Sequence, residues 1–303
     1  MVTVYFVKVC VGRNIIPIIK KGIIKSSGNT ILGADNKVGV STILESLISY
    51  FEQNNNLPSL EIVFTVSEES GNIGATKLDY SKIKSKVGFS FDGSGEIGSI
   101  LIASPFYSRF DISVIGKSAH AGSPELGINS LTITANAISK LKIGKINENT
   151  LCNIGMISGG DARNSIPEII KIKGEVRSYC EEDLLLELEL IKNTFVNSAN
   201  VLNAKIEIDI VNENAGFNYD KADKDISQVS VILRTLNFTP IFIKSLGCYD
   251  ANVFYENGVK IINFGNASKH NHTVDEQISE SDFIDISNIC FGVMENTHYF
   301  KMV

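Results

Sequence analysis

The run Leu60-Glu61-Ile62-Val63-Phe64-Thr65-Val66 is apolar and β-branched, and it ends at Ser67-Glu68-Glu69-Ser70-Gly71. A run of that length closed by a glycine turn reads as a buried strand. Before it, Val40, Ile43, Leu44, Leu47, Ile48 and Phe51 mark one face of a helix that Asn54-Asn55-Asn56 and Pro58 end. After it, Gly74 to Lys84 reads as a short helix, and Val87-Gly88-Phe89-Ser90-Phe91 as a strand ending at Asp92-Gly93. Strand and helix alternating in this way predict an α/β sheet covered by helices. Sites in open sheets of that kind gather at the carboxyl ends of the strands. Asp35, Glu68, Glu69 and Asp92 all fall at such turns.

The middle of the chain has a different order. Phe110–Ile115, Leu151–Ile157, Ile169–Tyr179 and Lys205–Val211 read as strands, and Gly127–Leu141 and Glu181–Ser198 as helices. That β-α-β-β-α-β order predicts an inserted ferredoxin-like α+β domain at about 109–212. From Asn214 the first pattern returns, with a helix over Asp225–Leu236, strands at Ile241–Ile243 and Val259–Phe264, and a closing helix over Glu280–Glu295. The first domain is therefore expected to be discontinuous, 1–108 with 213–303, and residues 1–25 read as strand-like.

Composition narrows the function classes. The net charge is −6 with no dense basic cluster, which argues against nucleic acid and anionic membrane as partners. No apolar run approaches a membrane span, and Met1–Val7 lacks the basic start and small-residue cleavage site of a signal peptide. The five cysteines are scattered without a CxxC pair, as expected of a reduced, cytoplasmic protein with buried thiols. Only His120, His270, His272 and His298 are available for imidazole chemistry.

Taken singly, each candidate has a plain reading. Glu68-Glu69 suits a solvated acidic turn, Asp35 a helix N-terminal acid, His120 a loop and Arg177 an ion pair on a strand. Taken together, Asp35, Glu68, Glu69, Asp92 and His272 could converge. Oxygen and imidazole donors suit zinc, cobalt or manganese, and a shared carboxylate can hold two such ions.

The combination Gly33-Ala34-Asp35-Asn36-Lys37, Glu68-Glu69-Ser70-Gly71, Phe91-Asp92, Gly116-Lys117-Ser118-Ala119-His120-Ala121-Gly122, Gly159-Gly160 with Asn164 and Pro167, Arg177, Asp250-Ala251-Asn252 and His272-Thr273 resembles the peptidase T-like metallopeptidases. These belong to the larger group of zinc exopeptidases and amidohydrolases that includes acetylornithine deacetylase and succinyl-diaminopimelate desuccinylase. The resemblance implies a catalytic α/β domain with a mixed sheet and flanking helices, plus an inserted lid that forms a homodimer contact. It implies hydrolysis of an amide bond of a short peptide, as in a tripeptide aminopeptidase, with a metal-activated water. By the same resemblance Asp35 bridges two metals, Glu69 and His272 complete the second site, and Asp92 serves the first. Glu68 is then the general base. His120 steadies the oxyanion in the partner subunit's site, and Arg177, Asn164, Asp250 and Asn252 meet the substrate.

Two departures stand beside the resemblance. The family's His-x-Asp motif falls at about Tyr5-Phe6-Val7, where neither residue occurs, and a preceding segment of the catalytic sheet is absent. The glycine- and serine-rich turn before Asp250 reads Leu246-Gly247-Cys248-Tyr249, and Arg163 replaces a small polar residue beside Asn164. One firmly held zinc with a weak or empty neighbouring site is expected. The competing expectations are an impaired or inactive truncated homologue and an N-acyl amino-acid deacetylase on the same scaffold.

Overall fold

The computed structural model describes residues 15–28, 30–53 and 59–300, together with the backbone of residues 2–7. Contacts divide the chain into two compact units, Met1–Ser104 with Phe217–Val303 and Pro105–Gly216. The helix-ending Asn54–Pro58 segment, Cys10 and Gly12–Asn14 lie outside the described residues, as do the side chains of Tyr5, Phe6 and Val7.

The first unit begins with β1 (Val2–Val7), β2 (Pro17–Lys20), β3 (Ile23–Ser26), α1 (Ala34–Gln53), β4 (Leu60–Thr65), α2 (Ile73–Thr76), β5 (Val87–Gly93) and β6 (Ser99–Ser104). The second unit holds β7 (Phe106–Ile115), α3 (Ser130–Ile138), β8 (Gly144–Lys145), β9 (Thr150–Gly159), β10 (Ile169–Ser178), α4 (Glu181–Asn200) and β11 (Lys205–Asn214). The chain then returns to the first unit as β12 (Phe217–Asn218), α5 (Lys224–Thr235), β13 (Ile241–Lys244), α6 (Asp250–Glu256), β14 (Lys260–Gly265), β15 (Gln277–Ser279) and α7 (Glu280–Glu295).

The first unit is built on a mixed sheet in the order β4-β1-β5-β14-β6-β12, with β13 also paired to β6. β4, β1, β5 and β14 run parallel, and β6 is antiparallel to β14. Parallel strands covered by helices lose their polar alternation. Phe89 and Phe91 on β5 are accordingly fully buried, and both stack on Phe264 of β14, with ring centroids 6.3 and 5.1 Å away. All six residues of β6 are buried, and no local signal in the sequence marks this strand. Such a short apolar run after a glycine carries no periodicity to tell strand from helix.

Register places the carboxyl end of β1 at the site. Val7 pairs with Thr65 on one side and Tyr5 with Ser90 on the other, so positions 5–7 lie beside the strand ends that lead to Glu68 and Asp92. The helix expected over 74–84 is instead two short turns, α2 and a 3₁₀ turn over Tyr80–Lys82. Asp79 breaks it by capping the second turn, its Oδ1 accepting from the Ser81 N–H at 3.2 Å.

In the second unit the strands lie in the order β11-β7-β10-β9-β8, all antiparallel. Alternate residues of β7 are buried, Phe110, Ile112 and Val114 among them. They form one core with Ile133 and Ala137 of α3 and Leu188, Ile191 and Phe195 of α4.

Cys152 and Cys290 are buried free thiols, and burial pushes both up to about 12. No helix among the described residues is long and apolar enough to cross a membrane.

Candidate metal centre

Asp35 is held from below by a residue that the sequence reading passed over. Glu276 is fully buried, and its carboxylate accepts the backbone N–H of Gly33 closely and that of Asp35 at 3.0 Å. Gly33 is left-handed (φ 74°), a backbone conformation that glycine adopts without the strain a side chain would bring. Asn36 then ties this loop to β5. Its buried Nδ2 donates to the Phe91 carbonyl at 3.1 Å, and its Oδ1 accepts from the Gly39 N–H at 2.9 Å. Regular helix in α1 starts only after Asn36.

Glu68 and Glu69 lie on a 3₁₀ turn between left-handed Ser67 (φ 58°) and Gly71 (φ 95°). Asp250 braces both ends of that turn. Its two oxygens accept from Thr65 Oγ1 and Asn72 Nδ2, each at 2.7 Å. Asp92 follows on β5, with its N–H donated to Asn263 Oδ1 of β14 at 3.1 Å. His272 comes from the β14–β15 loop, with φ 65°, uncommon for a residue with a side chain. Asn266 and Ala267 of the same loop donate backbone N–H groups to Gly93 and Gly95 at 3.0 and 3.2 Å.

These supports bring three donor atoms together. One ligand atom each from Asp35, Glu69 and His272 lies within 4.8 Å of the others. His272 Nε2 is 3.1 Å from Asp35 Oδ2 and 3.1 Å from Glu69 Oε1. Asn271 Nδ2 also reaches Asp35 Oδ2, at 3.3 Å. The three line a cavity of about 370 Å³ with Glu68, Asp92 and Tyr249. A larger groove of about 640 Å³ between α1 and α7 is walled by serines and phenylalanines and brings no such donor cluster.

Electrostatics agree with a cation at this place. Burial, then the Glu69 charge, raises Asp35 above the ordinary carboxylate value. Burial and the charges of Asp35 and Glu68 raise Asp92 well above it. Clustered carboxylates in a low-dielectric setting repel until something positive sits between them. Two carboxylate oxygens and one imidazole nitrogen therefore fit one divalent ion of the zinc, cobalt or manganese type. Among the described residues no second cluster of this kind occurs.

The remaining sequence candidates lie elsewhere or face inward. Asp250 and Asn252, expected to meet the substrate, are 1% and 0% exposed and bond to neighbouring groups of the fold. Asn252 Oδ1 is spent on the Tyr249 N–H at 2.9 Å and Ser104 Oγ at 2.8 Å, capping α6. His120, Asn164 and Arg177 belong to the second unit. His120 is exposed, and its Nδ1 accepts the Gly122 N–H at 3.0 Å, which leaves Nε2 as the outward donor in the neutral ring. The exposed Asn164 is paired to the His120 loop through its carbonyl, 2.9 Å from the Ala121 N–H. The Arg177 fork is engaged by Glu175 through two bonds of 3.2 Å and stacks 4.5 Å over Tyr107.

Comparison with known proteins completes the picture. Residues 107–212 match the family model of the peptidase dimerisation domain M20_dimer. The aminopeptidase PepT of Bacillus cereus superposes with a TM-score of 0.93 at 31% identity, over 98% of this chain and 81% of that one. The chain belongs to the M20, peptidase T-like family. A tripeptidase of Staphylococcus aureus superposes with a TM-score of 0.90 at 28% identity, covering 97% and 80% of the two chains. The uncharacterized protein YqjE of Bacillus subtilis is 31% identical over 298 residues, 97% of this chain and 80% of its own length. M20 membership accounts for the α/β unit, the dimerisation unit and the acidic-histidine cluster in one architecture.

Sequence reasoning missed Glu276 and Asn36. Glu276 sits in Asp275-Glu276 beside His272 and reads as a solvated acidic loop, and only its burial reveals the support.

Proposed function

We propose that the chain is a metal-dependent peptidase that releases an N-terminal residue from a short peptide. The observation that carries the reading is the convergence of Asp35, Glu69 and His272 in the cavity that also holds Glu68. The names of the related PepT and tripeptidase point to the same substrate class. Asp35, Glu69 and His272 would hold the ion, zinc by preference, and Asp92 is the carboxylate toward a second one. When bound, such an ion polarises a carbonyl and lowers the pKa of water. Glu68 removes the proton from the attacking water and returns it to the leaving amine. His120 of a paired copy is proposed to donate from Nε2 to developing negative charge, and Asn164 and Arg177 are proposed to orient the substrate. A carboxylate reaching the Arg177 fork must compete with Glu175. The Pro105–Gly216 unit is proposed to pair two copies of the chain.

The test is tripeptide cleavage by purified protein loaded with zinc or cobalt, with bound metal counted by mass spectrometry. Release of the N-terminal residue at one tightly held ion per chain supports the reading. Two equivalent, tightly held ions defeat its asymmetry. A second reading, a chain that binds one ion without turnover, is favoured by the lone donor cluster among the described residues; loaded protein that cleaves neither tripeptides nor N-acetylated amino acids selects it. Preference for the N-acetylated substrates selects a deacetylase.

A further inference from the structure

Tyr249 lines the cavity that holds the carboxylates, and its position is fixed at both ends. Its backbone N–H donates to Asn252 Oδ1 at 2.9 Å, and Asn252 is fully buried and also held by Ser104 Oγ. The one Ser104 hydroxyl proton is shared between Asn252 Oδ1 and the Gly247 carbonyl, 2.9 Å away, which ties the segment before α6 to β6. At the far end of the side chain, the phenol donates to Ser245 Oγ at 2.8 Å and lies 3.0 Å from Ser94 Oγ. Ser94 is two residues beyond Asp92, so the ring spans from the α6 entrance to the end of β5. One part of the ring packs on the core of the unit, and another lines the cavity. Rotating it away breaks two hydrogen bonds and uncovers core, which makes it a fixed wall rather than a movable one.

We propose that Tyr249 limits the size of the substrate side chain admitted beside the metal cluster, selecting peptides with a small residue there. The proposal rests on the peptidase reading for its ligand class. The phenol proton is committed to Ser245, so the residue acts through its volume and not as a catalytic donor. A pocket wall of this kind discriminates by steric exclusion, where a few methylenes change affinity by large factors.

The experiment measures calorimetric binding of Ala-Gly-Gly and Phe-Gly-Gly to zinc-loaded protein carrying E68Q, which slows turnover. It compares Tyr249 with Y249A and Y249F. The expected result is that the parent binds the alanyl peptide about tenfold or more tightly than the phenylalanyl one, and that Y249A abolishes this preference. Y249F, which keeps the ring but frees its tip, narrows the preference by a smaller factor. Should Y249A fail to fold, judged by its melting temperature, Y249L carries the same expectation. A ratio unchanged within about twofold in a folded Y249A or Y249L overturns the proposal. So does the absence of binding by both peptides to every variant, since the cavity then takes no peptide side chain. Cleavage of Ala-Gly-Gly by protein with Glu68 intact is scored separately. Size-dependent binding without cleavage removes only the peptidase reading, and cleavage with an unchanged ratio removes only the role of Tyr249.

Discussion

Asp35 and Asp92 line the same cavity and are both raised by burial and by neighbouring carboxylates, yet they keep different company. Asp35 has an imidazole 3.1 Å away and a second carboxylate within ligand distance. Asp92 has carboxylates as its charged neighbours and belongs to no donor cluster among the described residues. An imidazole supplies a donor without adding negative charge, so it raises metal affinity and relieves repulsion together. The contrast teaches that the number of acids in a site decides less than whether a neutral donor is shared among them.

Substitutions that attack the Asp35 side should have the largest effects. His272→Ala is expected to lose the tightly held ion and to lower kcat/KM by about 10³-fold or more, the equivalent of several kcal/mol of electrophilic stabilisation; dialysis followed by metal analysis checks the first part. Retention of a full equivalent in that variant would break the contrast outright. Glu68→Gln should keep the ion and lower kcat by about 10²–10⁴-fold, the range of general-base catalysis. Glu276→Ala leaves two backbone N–H groups of the Asp35 loop without their acceptor, a loss of about 2–4 kcal/mol in urea denaturation, and should weaken metal binding by about 10–100-fold.

The Asp92 side should respond in the opposite sense. Asp92→Asn is expected to leave the metal count at one and to raise the melting temperature of the metal-free protein at neutral pH, because it removes a charge that the fold disfavours. The pH dependence is the finest discriminator. Asp35 and Asp92 titrate above 3.8 in the fold, so their ionised forms oppose folding. Their destabilising contribution is complete above the raised range and is relieved as pH falls through it toward 3.8. Denaturation of metal-free protein from neutral to mildly acidic pH should show this relief in the parent and less of it in Asp92→Asn. Metal affinity should fall over the same window as protons compete for the ligands.

Much of this was readable in the chain itself. The apolar run before Glu68, the Asp35 turn and the His272 loop carry local signals, and the structure brings Asp35, Glu69 and His272 together. The middle segment's alternating strands likewise announce a one-faced sheet, and β7 and β10 bury alternate residues as that pattern requires. What stayed hidden is burial and long-range pairing. Nothing in Ser99–Ser104 marks it as a wholly buried strand, and nothing local shows that Asp250 faces inward to Thr65 and Asn72. The left-handed backbone of His272 is invisible for a different reason, since tertiary contacts impose a conformation that the residue does not favour.

The carboxylate beneath Asp35 also sets an order of events in biogenesis. Glu276 lies 243 residues along the chain from Gly33 and 241 from Asp35. A nascent chain that has made α1 and β4 therefore holds the Asp35 loop without its anchor until Glu276, 241 residues on, has left the ribosome. Contacts of such separation form late, after the loop-closure entropy between them has been overcome. The ion-binding place is then a late feature to mature, and metal capture reports on the arrival of the β14–β15 loop rather than on the folding of α1 and β4.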